Sequence, residues 1–185
     1  MPVKIGARAE SFSNPLGLLT DCHRRIEMFL GALIAVADPS HGSVLSDEQR
    51  DALDRALTYF RDAAPKHTAD EEQSLFPRMR RLDHPDVKAA LANVEELERE
   101  HRVADELHAD VDRLGRQWLA TGSLLPAELA AMRTALGELK RIYDRHIAIE
   151  DEQVFPLAKK MLAPDEQKSV GEEMASRRGA KTCEP

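Results

Sequence analysis

Aromatic residues make up only 4% of the 185 residues, too few for the cross-strand pairing that stabilises sheets. Cysteine is as scarce: Cys22 and Cys183 form no disulfide framework and no zinc-knuckle spacing, which points to a reducing, cytoplasmic setting. Long apolar runs are missing too. The longest, around Phe29 to Ala37, falls far short of the roughly 20 residues that cross a bilayer. The opening MPVKIGARAE has no apolar signal-peptide core. Nor is there a basic excess: 26 Lys and Arg stand against 33 Asp and Glu, a net charge of −7. That balance argues against nucleic acid or an anionic membrane as partner.

The chain is rich instead in Ala, Leu, Glu and Arg, with 42% hydrophobic and 32% charged residues, a mixture that favours helices. Its length suits one domain with a core of its own. Residues 1–14 mix Gly, Ser, Asn and Pro without periodicity and form an irregular lead-in. A first helix is predicted from Pro15 to Ala37, where Leu18, Leu19, Cys22, Ile26, Phe29, Leu30, Leu33 and Ile34 recur at three and four. Ser46 with Gln49 three residues on is a capping box that opens a second helix. This helix should kink at Pro65 and end near Leu82. A third runs from Pro85 or Asp86 to about Ala120, where Thr121-Gly122-Ser123 stops it. A fourth runs from Pro126 to about Leu162, bent at Pro156 as the second is at Pro77. A short helix from Pro164 or Asp165 to Arg177 would lie across these as a flap, and residues 179–185 read as a disordered tail.

The predicted fold is therefore all-α: an up-down antiparallel four-helix bundle over residues 15–178, with a short C-terminal helix. Its halves repeat. The stretches His67-Thr68-Ala69-Asp70-Glu71-Glu72-Gln73-Ser74-Leu75-Phe76-Pro77 and His146-Ile147-Ala148-Ile149-Glu150-Asp151-Glu152-Gln153-Val154-Phe155-Pro156 share His, a Glu at +4, an acid at +5, an aliphatic at +8, Phe and Pro. His23 precedes His67 by 44 residues and His101 precedes His146 by 45 (67−23 and 146−101). Each half is thus a helix hairpin with a lone His on its first helix and a His/Glu pair on its second. A pseudo-two-fold bundle would bring all of them to one centre.

Residues four apart on a helix differ by about 40° around the axis and about 6 Å along it, so His67/Glu71 and His146/Glu150 can each aim an imidazole and a carboxylate at one point. A carboxylate can also bridge two metals, which in two-metal sites lie roughly 3.5–4 Å apart. With His23 and His101 added, each metal would hold two His and share Glu71 and Glu150. Such ligation suits iron, and zinc or manganese also accept it. A bundle using these groups only as polar registry devices would bury four imidazoles and two carboxylates without a cation, which is costly.

Other residues rank below these six. The +5 acids Glu72 and Asp151 lie about 140° around the helix from their His and should point elsewhere. Glu27 and Asp105, at +4 from His23 and His101, can reach the centre, but solvation explains Glu27 more simply. His108 sits about 10.5 Å along the helix from His101, too far for one cluster, and reads as a packing or polar residue. Tyr143, three before His146, either hydrogen-bonds a ligand or packs. Cys22 reads as a small apolar residue, His41 and His84 as solvated loop residues, and Leu75, Phe76, Val154 and Phe155 as core walls.

At these residues the chain resembles the hemerythrin-like, HHE cation-binding family. The resemblance rests on Cys22-His23-Arg24-Arg25-Ile26, His67 to Pro77, Glu100-His101 and His146 to Pro156. It implies a four-helix bundle with an oxo- or hydroxo-bridged non-haem di-iron centre that meets O2, NO or peroxide. It assigns ligation to His23, His67, His101 and His146, with Glu71 and Glu150 as bridges. Oxygen-carrying members add a fifth His four residues along the third helix. Here the positions four either side of His101 are Leu97 and Asp105, so the set is closer to the family's sensing domains and iron-sulfur-cluster repair proteins. The leading expectation is a cytoplasmic di-iron protein that binds or reacts with O2, NO or peroxide in sensing or stress response. The alternatives are a di-iron enzyme, peroxidase- or oxidase-like or in cluster repair, and a zinc or single-metal structural bundle.

Overall fold

The computed structural model describes residues 11–38 and 44–180, and every regular element among them is helical. Helix α1 spans Pro15–Val36. Its start is set by Asn14, whose side chain accepts the Gly17 N–H at 3.3 Å, and by Pro15, whose missing N–H costs nothing in the first turn. Helix α2, Asp47–Asp62, opens on the expected capping box: the Gln49 N–H donates to Ser46 Oγ and the Ser46 N–H to the Gln49 side chain. The second long helical region then breaks at Ala63, and α3, Ala64–Asp70, begins with Pro65 in its first turn. The expected kink is this break.

Beyond α3 the chain takes a wider π turn, π1, over Glu71–Leu75 before α4, Phe76–Met79. The same happens in the second half. Helix α5 spans Pro85–Thr121 and ends at Gly122, whose φ of 81° lies in the left-handed region. Helix α6, Pro126–Ile149, leads into π2, Glu150–Val154, and then α7, Phe155–Met161. Pro77 and Pro156 each stand second in the helix after the π turn, with no N–H for the carbonyl four residues back. The preceding Phe76 and Phe155 N–H groups reach five residues back instead, to the Glu71 and Glu150 carbonyls. The disturbance expected at the two prolines thus takes the form of a π turn ahead of each, a feature common at functional sites.

Helix α1 packs against α2 and α6, and α5 packs against the same two, which closes a ring. Helix α8, Pro164–Arg177, lies on α1, α3 and π1. Two apolar cores fill the ring. One is built from residues such as Ile26, Leu33, Leu57, Trp118 and Leu136, the other from Leu19, Phe76, Leu97, Val154 and Met174. Along α1 the lone His23 falls between Leu19 and Ile26, and along α5 His101 falls between Leu97 and Ala104, so a polar layer separates the two cores. Residues 1–10 of the expected lead-in, His41, and Cys183 with the rest of the tail from 181 lie outside the described residues.

Candidate metal centre

All six residues singled out by the repeat meet in that layer. His23 comes from α1, His67 from α3, His101 from α5 and His146 from α6, while Glu71 and Glu150 open the two π turns. None is more than 7% exposed. Two sets of ligand atoms form: His23, His67, Glu71 and Glu150 in one, Glu71, His101, His146 and Glu150 in the other, with the atoms of each set within 4.8 Å of one another. Both carboxylates belong to both sets. Glu71 turns Oε1 toward His67 Nε2 at 3.1 Å and His23 Nε2 at 3.8 Å, and Oε2 toward His101 Nε2 at 3.5 Å. Glu150 Oε2 lies 3.1 Å from His23 Nε2 and 3.2 Å from His146 Nε2.

These atoms suit a cation better than one another. All four oxygens of Glu71 and Glu150 are buried without a hydrogen-bond partner, as are Nε2 of His23 and His146. Buried polar atoms are almost always paired, because an unpaired one forfeits its hydration for nothing. Here they converge on shared points, at the donor mixture that iron, zinc and manganese accept.

The electrostatics agree. Burial alone would lower the His23 imidazole, but its hydrogen bond to Asp151 and the Glu150 and Glu71 carboxylates beside it outweigh that and push it up to about 12. His146, likewise opposed by burial, is pushed up to about 10 by the Glu150 charge and by Glu100. Burial beside the Glu150 charge raises Glu71 to about 7, whereas His146 and His23 overcome burial and hold Glu150 well below the carboxylate range. Protons bound this tightly balance the carboxylates, and a metal entering the site must displace them.

An outer layer fixes the rings. The His23 Nδ1 lies 3.0 Å from Asp151 Oδ1, which also accepts from Thr20 Oγ1 at 3.0 Å. His101 Nδ1 lies 2.8 Å from Glu72 Oε1, and His146 Nδ1 lies 3.2 Å from Glu100 Oε2. A carboxylate at Nδ1 keeps the proton there and leaves the Nε2 lone pair for a metal. Glu72, Asp151 and Glu100 all titrate below their ordinary range: hydrogen bonding to His101 lowers Glu72, and histidine partners outweigh burial at the other two. His67 differs, because its Nδ1 is buried without a partner.

The +5 acids do leave the face of their own His, as expected, but each is occupied by a histidine of the opposite half. Sequence reasoning missed that role, and it missed Glu100 as well. The sign available was the acid shared at +5 by both repeats and the Glu beside His101. Glu27 is exposed and pairs with Arg24 at 3.4 Å. Asp105 stays outside both ligand sets, at the rim of a cavity beside the imidazoles. His108 lines that cavity, stacks on Phe60 at 4.2 Å and shares a 3.0 Å hydrogen bond with the Tyr143 hydroxyl. His84 caps α5 by accepting the Asp86 N–H. Cys22 is buried and free. Leu75, Phe76, Val154 and Phe155 are buried, and Phe155 stacks on His23 at 5.3 Å.

A further unforeseen feature is the anchorage of α8. Asp70, next to Glu71 and fully buried, accepts from Arg177 at 2.9 Å and Arg178 at 2.6 Å. Ser74 and Arg78 donate to Glu173 of the same helix. The helix expected as a flap is therefore bolted to the segment that carries His67 and Glu71.

Residues 14–158 match the family model of the hemerythrin HHE cation-binding domain. The chain is also 28% identical over 181 residues to a protein of Haemophilus influenzae described as uncharacterized, covering 92% of this chain and 94% of that one. No helix among the described residues is long and apolar enough to cross a membrane. With the family model spanning most of its length, the chain belongs to the hemerythrin HHE cation-binding family.

Proposed function

We propose that this protein is a cytoplasmic non-haem di-iron protein that binds or reacts with O2, NO or peroxide, in sensing or in oxidative or nitrosative stress response. The reading treats residues 15–178 as one up-down antiparallel four-helix bundle with α8 laid on it. His23 and His67 would hold one iron, His101 and His146 the other, and Glu71 and Glu150 would bridge them. The observation that carries the proposal is the pair of four-atom ligand sets sharing both carboxylates. When bound, an iron pair supplies electrons and open coordination positions to a small ligand. Around it, Asp151, Glu72 and Glu100 orient three imidazoles, and the two apolar cores exclude bulk water.

Size favours a small ligand over an organic substrate. The cavity beside the four imidazoles measures about 30 Å³, and roughly 10–15 Å³ on this measure holds one water. It therefore takes a ligand of two or three heavy atoms. Position +4 from His101 is Asp105 rather than a fifth imidazole, which would leave a second iron a free position and favours sensing or reaction over oxygen carriage.

Protein purified under iron-replete conditions should contain about two iron per chain, with a visible spectrum that changes on exposure to O2. His67→Ala should lose much of the metal and His84→Ala should not. Zinc alone, or no metal, would sink the proposal.

A further inference from the structure

The inner cavity lies beside the four imidazoles. It adjoins an outer cavity of about 220 Å³, and the two share four lining residues: Phe60, Pro65, Asp105 and His108. All four imidazoles line the inner cavity while Glu71 and Glu150 do not. It thus lies on the side of the centre away from the carboxylates, where an open coordination position would face. Tyr143 lines only the inner cavity, and His108, hydrogen-bonded to its hydroxyl at 3.0 Å, lines both.

From this arrangement we infer that small ligands reach the centre through the cleft between α2 and α5. The neck is framed by Phe60, Pro65, Asp105 and His108, and Tyr143 is the positioning residue that faces the ligand once inside. The inference rests on the proposed di-iron reading and adds the route to it. The helix break at Ala63 turns the chain beside the neck, and a proline there has no N–H that a passing ligand could engage. Phe60 stacked on His108 at 4.2 Å gives the neck one apolar wall. In the tautomer that donates from Nε2 to the Tyr143 oxygen, His108 leaves the phenol proton free to donate to the ligand's outer atom.

The test uses the iron-loaded full chain, reduced and anaerobic, with nitric oxide as probe. Flash photolysis and stopped flow give its association and dissociation rates. Ala109 is exposed and lines only the outer cavity, so Ala109→Trp should fill the route without touching the centre. Nitric oxide association and dissociation should both slow tenfold or more, with iron content and equilibrium affinity unchanged. Ala130→Trp, at an exposed position on α6, should alter neither rate. Tyr143→Phe should leave association alone and speed dissociation about tenfold, the loss of one hydrogen bond of roughly 1.4 kcal/mol. A changed association rate with unchanged dissociation in that variant would assign it a merely structural role and overturn its part. Full iron content with wild-type rates in Ala109→Trp would overturn the route and leave the di-iron reading standing. Wild-type protein without iron would overturn both.

Discussion

The outer carboxylates give a sharp test, because each should control one metal and not the other. Of the four imidazoles, Asp151 holds His23, which belongs to the first ligand set, and Glu72 holds His101, which belongs to the second. Asp151→Asn and Glu72→Gln keep shape and remove charge. A hydrogen bond to a charged group contributes about 1.5–3 kcal/mol against 0.5–1.5 for a neutral one, and losing such a partner typically costs about 10–100-fold in metal affinity. At about 1.4 kcal/mol per tenfold, that is roughly 1.4–2.8 kcal/mol per site. The Asp151 side chain is 17% exposed and that of Glu72 34%, so Asp151→Asn belongs at the upper end and Glu72→Gln at the lower. Competition against a chelator, followed through both metal equivalents, resolves the two binding steps. Each variant should depress one step and leave the other within about threefold. If either variant lowers both steps equally, or neither, the assignment of outer carboxylate to metal is wrong.

Three other outcomes follow from the same geometry. Arg177→Ala with Arg178→Ala strips both partners from the fully buried Asp70. An unpaired buried charge costs about 3–5 kcal/mol, so thermal unfolding should shift down by roughly 6–20 °C at 2–4 °C per kcal/mol; a shift under about 3 °C would refute the anchorage. Burial pushes His108 down to about 4, below its unfolded value of about 6.5. Its neutral form therefore favours the fold above pH 6.5, and that contribution is lost as pH falls from 6.5 to 4, at most about 3 kcal/mol. Denaturant melts at pH 7 and 4 should show His108→Gln losing less stability over this range than the wild type; equal losses would count against it. Finally, the metal at His23 and His67, where only one imidazole has an outer carboxylate, should bind about tenfold or more weakly than its neighbour. Stepwise titration checks this, and two equal steps would contradict it.

Much of this centre was legible because its inner six residues obey local rules. A His and a Glu four apart share a helix face whatever surrounds them, and the repeat of 44 and 45 residues placed the lone His of each half on the facing helix. Helix starts at Pro15, Ser46 and Pro126 carried their own capping or first-turn chemistry, and the stop at Thr121 came with Gly122. What stayed hidden is non-local. Asp151 meets His23 across 128 residues and Glu100 meets His146 across 46, and no periodicity encodes such pairs. The 140° offset correctly turned Glu72 and Asp151 away from their own histidines, but only packing says what they turn toward. A proline within a helix announces a fault and not its form, so the π turns were out of reach. The rise of about 10.5 Å kept His108 from the ligand set, yet Tyr143 joins it to the cavity.

The crossed pairing of the two halves bears on how the centre assembles. Each His/Glu segment supplies one inner carboxylate to both ligand sets and the outer carboxylate to the lone His of the other half. Neither hairpin alone can present a complete, oriented ligand set, so the centre forms only when the halves dock, and metal binding free energy becomes folding free energy. The halves part company at the residue before the lone His. In the second half it is Glu100, which orients His146; its counterpart in the first is Cys22, and the His67 Nδ1 is left without a partner. A thiol cannot take the carboxylate's part while burial holds it in its neutral form, and burial raises the Cys22 thiol. Cys22→Glu restores the carboxylate at that position, and if the orientation of His67 is what separates the two metals, that single change should draw their affinities together.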